Sequence, residues 1–247
     1  MKIIINGACG RMGQAVRALC EADFHAAQAV ALVDMNSVTD PAQRTYQTLW
    51  EFDGEADCII DFSSPRATQT LCRYAQEKKL PLVVATTGQT PEELAMLQET
   101  AKTVPVFYSA NMSVGIALLV SLCKQAAQML PNADIEIIET HHNRKADAPS
   151  GTALMLSRAI RSVRKNLRET FGRHGQAKRQ KDEIGIHAVR MGNITGIHEV
   201  HFGTDGETVT LKHTAHSRSV FAEGAIAAAA FLVKQEPGMY DMQSMIH

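Results

Sequence analysis

The sequence predicts an α/β chain, a doubly wound parallel sheet followed by a second, α+β domain. Two observations carry this. Over roughly the first 110 residues, short apolar runs alternate with helix-length amphipathic stretches, the pattern of a sheet whose faces are both covered. Beyond them, strand-like runs follow one another across short glycine-containing turns, which is an antiparallel signal. At 247 residues the chain has room for two modest domains.

The elements follow in order. KIIIN (2–6) is the first strand, and GACGRMGQAVRALCEA (7–22) turns through glycines into a helix with Val16, Leu19 and Cys20 on one face. AVALVD (29–34) and ADCIIDF (56–62) are the second and third strands. PRATQTLCRYAQEKK (65–79) is a helix opening on a proline suited to a first turn. LPLVVATTG (80–88) is the fourth strand, and TPEELAMLQETAKT (90–103) is a helix with Pro91, Glu92 and Glu93 in its first turn. VPVFYSAN (104–111) is the fifth strand. Parallel sheets of this kind bind ligands at the carboxyl ends of their strands.

A long helix over 113–130 leads to the strand DIEIIETHH (134–142), and another helix starts near Ser150. Residues 161–183 are polar and basic and read as a solvated loop. IGIHAVRMG (184–192), ITGIHEVHFG (194–203) and TVTLKHTA (208–215), separated by MGN and TDGE, predict antiparallel strands. The Ala-rich FAEGAIAAAAFLVKQ (221–235) is a helix expected to return and pack on the first domain.

Composition narrows the function classes. A hydrophobic fraction of 45% with 21% charged residues suits a soluble globular chain, and a net charge of −1 gives no global attraction to nucleic acid or anionic lipid. No apolar run is long enough for a membrane span, and the N-terminal run is too short for a signal peptide. Five cysteines, odd in number and without C-x-x-C spacing, are expected as free thiols in a reducing cytosol. The expected location is therefore cytoplasmic.

GACGRMG places Gly7, Gly10 and Gly13 between the first strand and its helix. Such a turn lets backbone amides approach a pyrophosphate at a helix N-terminus. Asp34 closes the second strand about 20 residues further on, where an acid accepts hydrogen bonds from a ribose. The pairing points to a dinucleotide site. Met35 stands where an NADP-selective site commonly has an arginine, so the cofactor is NADH or NADPH, with NADH slightly favoured. Ala85–Gly88 and Ser109–Ser113 end the fourth and fifth strands at the ligand-binding edge, and also suit loops and helix caps, with Thr90 or Ser113 as N-cap.

The stretch ETHHNRKADAPSGTALML (139–156) admits three readings. A metal site is disfavoured because adjacent His141 and His142 on a strand point to opposite faces, with no further ligand pattern beside them. A nucleic-acid surface is disfavoured because no aromatics interleave with the nearby basic run. A catalytic loop fits best. His141, His142 and Lys145 bring proton carriers and positive charge together, and the helix starting at Ser150 offers the amides of Gly151 and Thr152 to a carboxylate. That combination suits a small dianionic substrate.

GACGRMG, ATTG, SANMS, IEIIETHHNRKADAPSGTA and FAEGA, in this order over nearly the whole chain, resemble the 4-hydroxy-tetrahydrodipicolinate reductase (dihydrodipicolinate reductase) family of lysine and diaminopimelate biosynthesis. The resemblance implies a Rossmann-type dinucleotide-binding domain over 1–112 plus 219–247. It also implies a substrate-binding and tetramerisation domain over 113–218, hinges between the two, and a homotetramer. It implies an oxidoreductase that transfers a hydride from the nicotinamide to a small cyclic dicarboxylate imine, with loss of its 4-hydroxyl and protonation at C3. Carried onto this sequence, Gly7, Ala8, Cys9, Gly10, Arg11 and Met12 hold the pyrophosphate, and Asp34 holds the adenosine ribose. Ala85, Thr86 and Thr87, with Ser109, Ala110, Asn111 and Met112, line the nicotinamide side. His141 is the general acid/base, Lys145 the proton donor and His142 a substrate contact, while Gly151 and Thr152 bind a substrate carboxylate. Arg218 and Phe221 fall near the second hinge. No metal, nucleic acid or membrane is implied.

Three positions depart from many members of that family, all on the cofactor side: Ala85 in place of Gly, Met35 in place of Arg and Ser64 in place of Arg. Two rival functions remain at this level. One is a dehydrogenase of another small dicarboxylate, and the other is a dinucleotide-sensing protein without turnover.

Overall fold

The computed structural model describes residues 1–37 and 39–246. In chain order it contains β1 (Lys2–Asn6), α1 (Arg11–Glu21), β2 (Gln28–Val33), β3 (Thr45–Tyr46), β4 (Cys58–Asp61), α2 (Thr68–Lys78), β5 (Leu82–Val84), α3 (Pro91–Thr100) and β6 (Pro105–Tyr108). Then follow α4 (Val114–Met129), β7 (Asp134–His141), α5 (Gly151–Val163), β8 (Arg168–Phe171), β9 (Glu183–Arg190), β10 (Gly196–Gly203) and β11 (Thr208–Ala215). The chain ends with α6 (Ser219–Leu232), β12 (Gly238–Tyr240) and α7 (Met242–Ile246). It divides into two compact units, one of Met1–Val114 with Arg218–His247 and one of Gly115–Ser217.

The first unit is built on a seven-stranded sheet in the order β12-β6-β5-β4-β1-β2-β3. Every pairing in it is parallel. Ile3, Ile4 and Ile5 of β1 are all fully buried, as expected for a central strand covered on both faces. Strand order reverses beside β1, with β2 on one side and β4 on the other, which opens the crevice where such sheets take ligands. The expected five strands are present, and two short edge strands, β3 and β12, are added. The Ala-rich helix α6 returns to this unit as anticipated, with Ala222, Ala225, Ile226, Ala228 and Ala229 fully buried. Helix α3 starts on a capping box in which Thr90 Oγ1 accepts from the Glu93 amide and the Glu93 carboxylate accepts from the Thr90 amide. Pro65 opens a short 3-10 turn (Pro65–Ala67) just before α2 rather than the helix itself.

The second unit is a five-stranded mixed sheet in the order β11-β10-β7-β9-β8, and its buried face packs on α4 and α5. Strands β10 and β11 form the expected antiparallel hairpin. The expectation that β9 and β10 pair with one another is corrected: β7 lies between them, parallel to β9 and antiparallel to β10. The reason lies in the short connection between them, which crosses the end of β7 instead of closing a hairpin. Along it the Met191 amide donates to His141 O (2.9 Å), Gly192 O accepts from the Asn143 amide (3.2 Å) and Ile194 O accepts from the His142 amide (2.8 Å).

The basic stretch 161–183 is an exposed loop only over 172–182. The rest holds the end of α5 and the strand β8, and most of its arginines pair within the chain. Arg179 bridges Asp134 (2.7 Å) and Glu136 (3.2 Å) and donates to the backbone oxygens of Ile135 and Glu183.

Candidate active site

In the first unit the glycine turn has the geometry that the sequence requires. Gly7 has φ +82°, and a side chain there would strike the Phe62 carbonyl group at 2.7 Å. A Cβ on Gly13 would overlap the Gly7 carbonyl oxygen, so its absence lets α1 press onto the turn. Gly10 is the N-cap of α1 and supplies no side-chain cap, which leaves the helix start to a ligand. Asp34 stands against this turn. Its Oδ2 accepts from the Cys9 amide (3.0 Å), and its Oδ1 accepts from the amide and side chain of Asn36 (3.0 and 3.1 Å). Met35 beside it is 84% exposed. A bare helix N-terminus, glycines at the close approaches and a preset carboxylate fit a dinucleotide.

The sequence reading missed Asp61 at the end of β4. It is 1% exposed and joins the carboxyl ends of three central strands. Its Oδ1 accepts from Asn6 Nδ2 (2.8 Å) and Ser63 Oγ (2.5 Å), and its Oδ2 accepts from Thr86 Oγ1 (2.6 Å). Burial pushes this carboxyl group up while those donors oppose the shift. Within ATTG, Thr86 therefore turns its hydroxyl inward, and Thr87 is exposed. In SANMS, Ser109 Oγ donates to Asn111 O (2.8 Å) and Asn111 Oδ1 accepts from the Ser113 amide (2.9 Å). Met112 is buried, and a Cβ on Gly224 of α6 would overlap its carbonyl oxygen.

In the second unit β7 delivers His141 and Glu139 to the buried face of the sheet, alternating with half-buried Thr140. Strand β7 ends at His141, and half-buried His142 is the first residue beyond it. Glu139 Oε2 accepts from His141 Nδ1 (2.5 Å) and from Arg190 (2.8 Å). Its Oε1 accepts from Arg190 (2.7 Å) and from the Ser150 amide (2.9 Å). Burial alone would push the Glu139 carboxyl group up, but His141, Arg190 and the Ser150 amide outweigh it and hold it down to about 2. His198 of β10 lies edge-on to His141, with ring centroids 5.2 Å apart, and its Nε2 meets Ser150 Oγ at 3.1 Å. Burial, with His141, His213 and Lys145 adding to it against Glu139, pushes His198 down to about 3, so it is neutral.

Ser150 is the N-cap of α5, with Oγ accepting from the Ala153 amide (3.2 Å). Gly151 and Thr152 thus occupy the first turn, and a Cβ on Gly151 would meet nothing within 4 Å. Lys145, only 23% exposed, pairs with Asp147 at 2.8 Å. The arrangement gathers a carboxylate-bound histidine, a lysine ammonium and a helix N-terminus in one loop. Glu139, Arg190 and His198 were not singled out from the sequence. Glu139 had a signal, an acid inside an apolar strand; Arg190 and His198 had none, because β9 and β10 meet β7 only through sheet register.

A parallel sheet with a glycine turn and a reversal of strand order, joined to a mixed-sheet unit bearing a cationic loop, defines a Rossmann-type two-unit oxidoreductase. Models of the dihydrodipicolinate reductase N-terminus and C-terminus match residues 1–112 and 115–246. 4-Hydroxy-tetrahydrodipicolinate reductases of Clostridium tetani and Caldanaerobacter subterraneus are 45% and 46% identical, covering all of this chain and 97% and 98% of theirs. The chain belongs to the dihydrodipicolinate reductase family. Among solved structures, a dipicolinate-bound dihydrodipicolinate reductase from Paenisporosarcina superposes with a TM-score of 0.81 at 24% identity, over 98% of this chain and 97% of that one. A diaminopimelate dehydrogenase of C. glutamicum gives 0.61 at 12% identity, over 98% and 93%, a likeness of fold alone.

Proposed function

We propose that this chain reduces 4-hydroxy-tetrahydrodipicolinate to tetrahydrodipicolinate with NADH or NADPH, a step of lysine and diaminopimelate biosynthesis. The observation that carries the reading is the loop Glu139–Thr152, intact in sequence and folded into one cationic, amide-bearing site, in a chain matched end to end by reductases of that name. Residues 1–112 with 219–247 bind the dinucleotide, and 113–218 bind the substrate. Gly7, Ala8, Cys9, Gly10, Arg11 and Met12 receive the pyrophosphate, and Asp34 the adenosine ribose. Ala85, Thr86 and Thr87 with Ser109, Ala110, Asn111 and Met112 border the nicotinamide, Thr86 through its backbone because its hydroxyl is committed to Asp61. When bound, the reduced nicotinamide supplies the hydride. NADH is favoured slightly, since Asp34 with Met35 beside it offers a 2′-phosphate a negative charge and no cation.

The chain's own residues neutralise and protonate. The amides of Gly151 and Thr152 hold one carboxylate of the substrate, and His142 contacts it. The 4-hydroxyl leaves with a proton from C3 as water, and after the hydride reaches C4, Lys145 leaves Asp147 to donate a proton from Nζ to C3, with His141 exchanging protons as the general acid/base. The Lys145 ammonium and the helix amides stabilise the electron density that builds up toward the ring nitrogen. The protein acts as a cytoplasmic homotetramer.

Oxidation of NADH by the purified chain should require the enzymatically generated cyclic substrate and fail with open-chain imino dicarboxylates. Turnover with the open-chain compounds instead would favour the rival dehydrogenase, and NADH binding without any turnover would leave only a dinucleotide-binding protein.

A further inference from the structure

We infer that Glu139, braced by Arg190, is a positioning residue that keeps a proton on Nδ1 of His141 and leaves Nε2 as the nitrogen that exchanges protons with the substrate. The inference rests on His141 being the general acid/base.

Glu139 has a side chain with no exposure, and both of its oxygens are occupied by donors. Oε2 accepts from His141 Nδ1 and one Arg190 nitrogen, and Oε1 accepts from the other Arg190 nitrogen and the Ser150 amide. A guanidinium and a backbone amide can only donate, so the group they share is an ionised carboxylate, which can only accept. The proton between Glu139 and His141 therefore belongs to the imidazole Nδ1. Arg190 grips the carboxylate with two nitrogens, the strong planar form of this pair, and satisfies the buried charge. Arg190 is itself fixed by Val189 O (2.8 Å) and Asp147 O (2.6 Å). The couple thus closes the loop Lys145–Ser150 against β7 and β9 as it sets the ring.

The opposite edge of the ring is kept clear. A Cβ on Gly196 would stand 3.1 Å from His141 Nε2 and 3.6 Å from Cδ2, so glycine at this strand position leaves room beside the reactive nitrogen. The ionisable groups around the ring come from every neighbouring element: Glu139 from β7, Arg190 from β9, His198 from β10 with His213 behind it on β11, and Lys145 with Asp147 from the loop. His198 is neutral and adds no competing charge. A carboxylate on the far nitrogen fixes the tautomer of a catalytic imidazole, and losing it exposes the wrong nitrogen to the reaction.

Full-length protein with 15N-labelled histidine tests this directly. In the neutral imidazole of the wild type, Nδ1 should be protonated and Nε2 bare. A proton on Nε2 overturns the proposal without any variant. In Glu139→Gln the ring should shift toward the other tautomer and kcat should fall at least ~100-fold, with the NADH Kd within two-fold of wild type. A folded variant that keeps the wild-type tautomer and kcat overturns the proposal. If Glu139→Gln does not fold, Arg190→Lys serves: it keeps the charge but loses the two-pronged grip, and should give mixed tautomers with a kcat loss of about ten-fold, whereas wild-type behaviour counts against the inference. Failure of wild-type turnover would remove the proposed reaction but leave the tautomer measurement decisive for the couple.

Discussion

His198 and Glu139 make this protein's stability depend on pH on the acid side. Burial pushes His198 from 6.5 down to about 3, so the unfolded chain takes a proton that the folded chain refuses. The stability this contributes is complete above pH 6.5 and is lost as pH falls toward 3. Glu139 is held down from 4.5 to about 2, and its contribution is present above pH 4.5 and lost as pH falls toward 2. Urea unfolding at stepped pH should therefore show stability declining below 6.5, with a further decline below 4.5 that is smaller in Glu139→Gln, because Asp147, Asp182 and Glu183 are also held down. A stability profile flat from 6.5 to 4.5 would contradict the neutral, buried His198. The candidate residues of the loop were legible because they lie in one run, from His141 to Thr152. Arg190 was not, because it reaches Glu139 only through the pairing of β7 with β9. Asp61 was hidden differently: besides its neighbour Ser63, its partners Asn6 and Thr86 come from the ends of two other strands, 55 and 25 residues away in the sequence.

At the scale of elements, the close approach of α6 to the segment after β6 has a sharp sequence requirement. Gly224 faces the carbonyl of Met112, and a methyl group there would occupy the same space as the oxygen. Gly224→Ala should force the helix outward, costing about 1 to 3 kcal/mol, and should raise the NADH Kd by displacing Ser109–Met112. Unchanged thermal stability and NADH affinity would show that α6 does not pin this segment. The apolar runs and capping signals foretold most of these elements, and Thr90 caps α3 as its T-P-E-E sequence suggests. Strands β3 and β12 escaped because two or three residues give no periodicity to read. The pairing of β9 escaped because a short glycine turn normally closes a hairpin, while here it crosses the end of β7 and bonds to His141, Asn143 and His142.

On the scale of the whole molecule, each unit has its own core. One is built around Ile4, Ile59, Leu82 and Val106, and the other around Ile135, Ile137, Ile184 and Phe202. The glycine turn and Asp34 lie in one unit and the loop from Glu139 to Thr152 in the other, as the proposed function requires. That split was visible in the sequence as a change from helix-separated apolar runs to alternating ones. The central claim is that the second unit carries out proton transfer through Lys145 without taking part in dinucleotide binding. Steady-state NADH oxidation with enzymatically generated 4-hydroxy-tetrahydrodipicolinate, in wild type and Lys145→Ala, tests it most directly when paired with an NADH titration of each. The account predicts a kcat lower by about 100-fold or more in the variant, with an NADH Kd within two-fold of wild type. Wild-type turnover in Lys145→Ala, or a loss explained by weakened NADH binding, would contradict it.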